Sequence, residues 1–495
     1  MLLSSLVEKL SYDVLLGDTN KEITTLVYDS RKVVDGSVFV CIKGAKADGH
    51  NYIDQVINDG ATVVVIEREI EIDIKSYEKY ENTVTFLQVD DTRKALAFMS
   101  AAYFGYPAEK LKTIGITGTK GKTTTTYMVK DMLDKAGHKA GLIGTIETII
   151  GETAIKSVNT TPESYVLQES FAKMLEAGCD CVVMEVSSQG LMLHRVDGFT
   201  FDYGIFSNLE ADHIGPNEHK DFEDYLHCKA MLFKQCKVGI INIDDKYAKD
   251  VIEGHTCKIE TFGMTDEAML RAENIKLTSD AGKLGVKYDV KGLMDFNVQI
   301  SVPGKFSVYN SLMAIAIARH FNIDVDIIRE TMKNVKVKGR VEIVPTGSDD
   351  YTIIIDYAHN SMSMKSLLTT IREYKPKRLV TVFGCGGNRD KHRRYDMGEI
   401  SSQYADLSVL TSDNPRTEEP EDIINDILVG IHKHDGKYIT IVDRKEAIKY
   451  CIDNAQKGDV ILLVGKGHES YQDIKGVKYD FDERKVVADI VNNKN

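Results

Sequence analysis

The residues best equipped for chemistry are gathered in one stretch, KTIGITGTKGKTTTT at 112–126. Its centre, GTKGKTT from Gly118 to Thr124, has the composition of a phosphate cradle. Gly118 and Gly121 permit a tight turn that aims backbone N–H groups at phosphate oxygens, and a helix starting there adds its dipole. In such a loop Lys122 reaches the β- and γ-phosphates and the Thr123 hydroxyl takes Mg²⁺, while Thr119, Lys120 and Thr124 complete the wall. The strict nucleotide loop places four residues between its two glycines. Here Ile116 stands where the first glycine would be, so the loop is a shortened relative.

Three further groups could serve a bound phosphate. Glu185, in MEVSSQGLMLHR (184–195), ends an apolar run; a carboxylate there is costly unless compensated, by a metal ion or by a salt bridge. His213, in the Asp212-His213 pair after another apolar run, is a candidate second metal ligand, with a structural histidine as the alternative. Lys229 shares a helical stripe with Phe222, Tyr225, Leu226, Leu232 and Phe233. A lysine there must snorkel, pair or lose its charge. Loss of the proton would let the amine take up CO₂ as a carbamate, an oxygen ligand suited to Mg²⁺. The helical pattern alone favours snorkelling.

Short apolar runs must position these groups: 112–118, 179–188, 202–209, 238–245, 351–360, 378–388, 407–415, 438–443 and 459–469. Helical patterns lie between them, as in TTTTYMVKDMLDKAG, where Met128, Met132 and Ala136 share a face and Gly137 caps the end. Near-continuous apolar strands alternating with helices predict an α/β protein with parallel sheets covered on both faces. Ligands bind such sheets at the carboxyl ends of the strands, where the unusual residues of this chain fall. Breaks at GYPAEKLK and VKVKGRVEIV predict three domains, 1–107, 108–337 and 338–495.

The 495 residues, 43% hydrophobic and 28% charged, suffice for several cores. A net charge of −13 argues against a general nucleic-acid binder but leaves room for local cations around an anionic substrate. No run approaches the length of a membrane span, and MLLSSLVEKLSYDVLL lacks a cationic leader and cleavage site, so a cytoplasmic protein is expected. The eight cysteines are scattered; Cys179 and Cys181 lack zinc-site spacing and are expected as buried thiols.

Taken together and in order, GTKGKTT, NTTPES (159–164), MEVSS, DH, CKAMLF, GKFSVYN (304–310), GRVE (339–342), DYAHN (356–360), FGCGGNRDKHRR (383–394), DNPR (413–416) and GKGHESYQ (465–472) resemble the Mur ligases. The resemblance spans nearly the whole chain. It implies a smaller α/β N-terminal domain that binds uridine diphosphate, a central ATPase-type parallel sheet and a C-terminal Rossmann-like sheet. It also implies phosphorylation of a substrate carboxylate by ATP, followed by attack of an amine on the acyl phosphate. On this resemblance Lys229 is carbamylated and joins Glu185, His213 and Thr123 around Mg²⁺, which reverses the preference for snorkelling. Ser30, Thr160, Thr161, Ser187 and Arg195 match contacts to a UDP-muramoyl substrate. Asn310, Arg340, Asp356 and His359 match nucleotide contacts, and Arg389, Asp413, Asn414, Pro415, Arg416, Gly465 and Glu469 match the amino-acid pocket.

DNPR bears on which amine is added. meso-Diaminopimelate carries a second carboxylate and ammonium at its far end; Arg416 can hold that carboxylate with two parallel hydrogen bonds, and Asp413 or Glu469 the ammonium. The resemblance therefore implies addition of meso-diaminopimelate to UDP-N-acetylmuramoyl-L-alanyl-D-glutamate by a monomeric enzyme of peptidoglycan precursor synthesis. The alternatives are the same reaction with L-lysine, or a folylpolyglutamate-synthetase-like ligase. Gln189, Leu193, Ser307, Asn360 and Asn388 depart from the common family pattern, and DHIGPNEHKDFEDY is longer than the usual loop.

Overall fold

All nine apolar runs fold as strands. β-Branched and aliphatic side chains fill both faces of their pleated surfaces, and polar or glycine-rich residues end them. The computed structural model describes the chain except for residues 45–46, 213, 216–217, 281–282 and 493–495. It divides into two compact units, Met1–Phe262 and Gly263–Asn495.

The first unit holds two sheets. In one, β1 (Asp13–Leu16), β2 (Thr25–Val27), β3 (Ser37–Val40), β4 (Ala61–Glu67) and β5 (Thr85–Val89) run in the order β1-β5-β4-β3-β2. Only β1 is antiparallel to its neighbour. In the other, β6 (Lys112–Thr117), β7 (Ala140–Ile143), β8 (Glu147–Ile150), β9 (Thr153–Lys156), β10 (Cys181–Glu185), β11 (Phe201–Phe206), β12 (Cys236–Asn242) and β13 (Lys258–Gly263) run in the order β13-β12-β11-β6-β10-β7-β8-β9. The pairs from β13 across to β7 are parallel, and β8 and β9 add an antiparallel ribbon.

Register decides what this second sheet can do. Glu185 pairs with Ile116, and Phe206 with Thr117. The residues that follow β6, β10 and β11 therefore emerge along one edge. Beneath it lies a core that includes Val182, Met184, Phe201, Phe206 and Phe233.

The second unit contains β14 (Leu270–Asp280), β15 (Lys283–Gly292) and β16 (Phe296–Ile300), paired antiparallel in that sequence. Its larger sheet comprises β17 (Glu342–Val344), β18 (Tyr351–Asp356), β19 (Arg378–Phe383), β20 (Leu407–Leu410), β21 (Tyr438–Thr440) and β22 (Asp459–Val464), ordered β17-β18-β22-β19-β20-β21. All pairs but β17–β18 are parallel. Asp356 and Phe383 both pair with Val464, so these strand ends are level too. A hairpin of β23 (Tyr471–Ile474) and β24 (Val477–Asp480) follows β22. All eight cysteines are buried free thiols. Among the described residues, no helix is long and apolar enough to cross a membrane.

Candidate functional site

The phosphate loop follows β6 and leads into the helix Lys122–Lys135, with Gly121 in a left-handed conformation at its start. Gly118 has φ 143°, and a Cβ there would collide with the Ser207 hydroxyl, so the close approach of the β11 end demands glycine. That end braces the loop from outside. Thr119 N donates to Asn208 O at 2.9 Å, Lys120 N to Asn208 Oδ1 at 2.9 Å, and Ser207 Oγ to Lys120 O at 2.8 Å. Lys122 Nζ folds back onto Gly118 O at 2.6 Å and Thr119 O at 3.1 Å. Thr124 is buried in the first helical turn.

Glu185 is only 1% exposed at the end of β10. Thr123 Oγ1 donates to its Oε2 at 2.9 Å, Thr145 Oγ1 to the same oxygen at 3.1 Å, and Thr145 N to Oε1 at 2.8 Å. Gly144 leaves the room for this: a Cβ there would lie 2.5 Å from Glu185 Oε1. Among the described residues the carboxylate's partners are thus all neutral. A buried anion beside a phosphate loop, with a threonine hydroxyl on it, is an oxygen donor set suited to a hard cation such as Mg²⁺. His213, the other ligand expected on the sequence, lies outside the described residues.

Lys229 does not snorkel. It is 1% exposed on the helix Phe222–Ala230, with Nζ 4.5 Å from the centre of the Tyr225 ring and donating to Gly118 O at 3.0 Å. Pattern reading failed because that helix is covered on the side where a snorkelling lysine would leave. Burial, reinforced by the Lys122 ammonium and only partly opposed by Asp212, holds the Lys229 amine well below its ordinary range. The Tyr225 and Thr119 hydroxyls sit 3.0 Å apart, tying the same helix to the loop.

The residues expected at the muramoyl substrate divide into several places. Thr160 Oγ1 is 3.0 Å from Thr145 Oγ1. Thr161 is fully buried, donating from its hydroxyl to Glu185 O at 2.9 Å and accepting from Ser187 N at 2.9 Å. Ser187 caps the helix Ser188–Met192 by accepting from Gly190 N at 3.0 Å, which leaves its own O–H to donate. Arg195 is paired with Glu163 and donates to Thr161 O at 3.1 Å. Ser30 is half-buried at the start of the turn Ser30–Lys32, after β2 in the other sheet.

In the second unit all the expected residues but Asn310 and Arg340 gather at the ends of β18, β19, β20 and β22. Asp356 Oδ2 accepts from Val341 N at 2.8 Å and Oδ1 from Ala358 N at 2.8 Å; burial raises its carboxyl, against the pull of Arg340. Arg340 stacks over the Tyr357 ring at 5.1 Å, and the exposed His359 ring lies 4.9 Å from that ring. Asn310 is buried in the helix Lys305–His320. After β20, Asp413, Asn414 and Pro415 are buried, and Arg416 has φ 53° and donates from Nη1 to Gly387 O at 2.5 Å. Asn414 Nδ2 donates to Glu469 Oε2 at 2.8 Å, Gly465 N to Asp356 O at 3.1 Å, and Arg389 is exposed.

Sequence reasoning missed several members of these clusters. Lys466, fully buried after β22, lies 3.2 Å from Glu469 Oε2, 3.2 Å from Asn414 Oδ1 and 4.0 Å from Asp413 Oδ1. Beside it the buried Arg444–Glu483 pair closes at 2.8 Å, and Arg444 donates to Val464 O at 2.9 Å. The lysine inside GKGHE was a usable signal. Thr145, 40 residues from Glu185, gave none.

Fold and site together define a nucleotide-loop α/β protein whose loop is closed on a buried carboxylate and a buried lysine. Three family models match in succession: Mur ligase family, catalytic domain, at 22–104; Mur ligase middle domain at 116–318; and Mur ligase, glutamate ligase domain, at 339–467. The chain belongs to the Mur ligase family. It is 42% identical over 500 residues, covering all of both chains, to UDP-N-acetylmuramoyl-L-alanyl-D-glutamate--2,6-diaminopimelate ligase of Clostridium perfringens. A Caldanaerobacter subterraneus protein of the same name is 45% identical over 478 residues, 96% of each chain. A solved structure of UDP-N-acetylmuramoyl-L-alanyl-D-glutamate--2,6-diaminopimelate ligase superposes with a TM-score of 0.72 at 27% identity, over 100% of this chain and 99% of that one.

Proposed function

We propose that the chain is an ATP-dependent amide ligase that adds meso-2,6-diaminopimelate to UDP-N-acetylmuramoyl-L-alanyl-D-glutamate, in peptidoglycan precursor synthesis. The observation that carries this reading is the buried Glu185 carboxylate, held among the described residues by neutral donors and joined to the loop's Thr123 at 2.9 Å. The names of the full-length relatives support the choice of substrates.

In the first step an oxygen of the glutamyl carboxylate bonds to the γ-phosphorus as the bond to the β–γ bridging oxygen breaks, and ADP leaves. In the second the amine nitrogen bonds to the acyl carbon, phosphate leaves with the former carboxylate oxygen, and the nitrogen gives up a proton. The Lys122 ammonium and the loop N–H groups align and neutralise the transferring phosphoryl group. Mg²⁺, held by Thr123, Glu185, His213 and Lys229, would supply additional positive charge at the phosphates. The depressed Lys229 amine suits addition of CO₂, with a new N–C bond and release of one proton, which would give that site an anionic oxygen.

Ser30, Thr160, Thr161, Ser187 and Arg195 would hold the UDP-muramoyl substrate, and Asn310, Arg340, Asp356 and His359 the nucleotide. Arg389, Asp413, Asn414, Pro415, Gly465 and Glu469 would line the amine pocket, with Arg416 on the distal carboxylate. The working division is three domains, 1–107, 108–337 and 338–495, in a cytoplasmic monomer that takes small-molecule substrates rather than nucleic acid or membrane.

Phosphate release with ATP, the muramoyl dipeptide and each candidate amine tests this reading. Release should depend on the amine and strongly prefer diaminopimelate. Equal rates with lysine would overturn the pocket assignment, and amine-independent hydrolysis the ligase itself. Arg416→Ala should raise the amine KM about 10- to 100-fold and leave the KM for ATP unchanged.

A further inference from the structure

Two segments must keep a fixed separation around the phosphate: the end of β10, which carries Glu185 and Ser187, and the helix Phe222–Ala230, which carries Lys229. A chain of hydrogen bonds, buried at Ser188 and His219 and half-buried at Asp224, spans them. His219, fully buried, places Nε2 2.8 Å from Ser188 Oγ and Nδ1 2.9 Å from Asp224 Oδ2. Ser188 opens the short helix after β10 and is 4% exposed. Asp224 lies in the first turn of the Lys229 helix, whose cap Asp221 accepts from Asp224 N at 2.8 Å.

The chemistry of the carboxylate orients the ring. Asp224 as a carboxylate can only accept, so Nδ1 donates to it, and Nε2 is left for the Ser188 hydroxyl. Both ring nitrogens are thereby committed inside the protein. Although serine, histidine and aspartate lie in the order of a hydrolase relay, Ser188 is too buried to meet an acyl group. What the chain does is hold.

The same helix touches the loop at two more points, the Tyr225 hydroxyl to Thr119 and Lys229 Nζ to Gly118 O. The His219 ring also packs against the Tyr225 ring at 5.1 Å between centroids. A shift at Asp224 would therefore move Tyr225 and Lys229 with it.

We propose that Ser188, His219 and Asp224 form a positioning relay that sets the distance between the Glu185 strand end and the Lys229 helix, and so the cation site between them. The proposal rests on the ligase reading for its kinetic consequence, but its geometric content can be measured without turnover.

The test uses the full chain and the variants Ser188→Ala, His219→Ala, Asp224→Asn and the double variant Ser188→Ala/His219→Ala. Each is assayed for ligation with diaminopimelate and for binding of a fluorescent ATP analogue with and without Mg²⁺. Ser188→Ala and His219→Ala should weaken the Mg²⁺-dependent part of nucleotide binding and lower kcat, each about 10- to 100-fold, with the amine KM within about twofold. Because the groups act as one unit, the double variant should lose no more than the worse single variant. Asp224→Asn, whose amide oxygen still accepts from Nδ1–H, should retain most of the binding. A parent inactive in ligation would count against the ligase reading and leave the binding test of the relay intact. Mg²⁺-dependent binding and kcat unchanged in Ser188→Ala would overturn the relay, as would single losses that multiply in the double variant. Should His219→Ala fail to fold, Ser188→Ala decides.

Discussion

Two lysines, each buried to within 1% of complete, mark the two strand edges of this protein and live in opposite surroundings. Lys229, at the phosphate-loop edge, donates to a backbone carbonyl at 3.0 Å, and the Lys122 ammonium adds to the burial that lowers its affinity for a proton. Lys466, at the edge formed by β20 and β22, has Glu469 at 3.2 Å and Asp413 at 4.0 Å. Burial alone does not decide what a lysine is. Burial disfavours the charge of Lys229, with Asp212 only partly opposing it, whereas Lys466 has two carboxylates within 4.0 Å. Among the described residues, one lysine has only a carbonyl within hydrogen-bond distance, while the other has carboxylates beside it.

The largest effect that follows belongs to the unmatched lysine. Lys229→Met keeps an unbranched side chain in the slot and removes only the amine. Ligation should fall about 10³-fold, measured as amine-dependent phosphate release, while the apparent melting temperature holds or rises. A variant with near-parental turnover would place Lys229 outside the chemistry and erase the contrast. Lys466→Met should behave in the opposite sense. It strands the Asp413 and Glu469 carboxylates, and the loss of stability in urea should reach about 3 kcal/mol. ATP-analogue binding should change little in folded protein. Unchanged stability would mean that the acids at this edge do not need their cation.

The sequence made the two edges visible but not their electrostatics. Alternation of strands and helices, and the position where an apolar run stops, located Glu185, while Asp356, Asp413 and Gly465 were named by the family resemblance; all four fall at strand ends because a parallel sheet brings its strand ends to one side. The loop was legible because Gly118, Lys122 and Thr123 act within a few residues of one another. The fate of Lys229 was not, because a helical stripe tells which side is apolar and not how deep that side is sunk. Thr145 and His219 were hidden for another reason: their partners, Glu185 and Ser188, lie 40 and 31 residues away, and no local pattern records which strand end will arrive beside them. Lys466 combined both problems, since its neighbours Asp413 and Asn414 come from a different strand.

The smallest expected effect probes the matched edge through pH. Behind the Arg416 loop, Arg394 is 1% exposed and donates to Glu418 at 2.8 Å and to Asp426 at 2.8 Å. Hydrogen bonding from Arg394, aided by Asn388 N and the charge of Arg394, holds the Glu418 carboxyl down at about 2. A carboxyl whose folded pKa lies below its unfolded value binds fewer protons folded than unfolded between the two. The stability it contributes is therefore complete above its ordinary pKa of 4.5 and is lost as pH falls toward about 2. Glu418→Gln removes this dependence. The melting temperature of the parent should exceed that of the variant at neutral pH, and the gap should close on acidification through this window. Nucleotide binding, to which neither Glu418 nor Arg394 is assigned, should be the same in both. A gap that stays constant across the window would show that Arg394 supports the loop by packing rather than by its charge, and the matched edge would then be less electrostatic than its geometry implies.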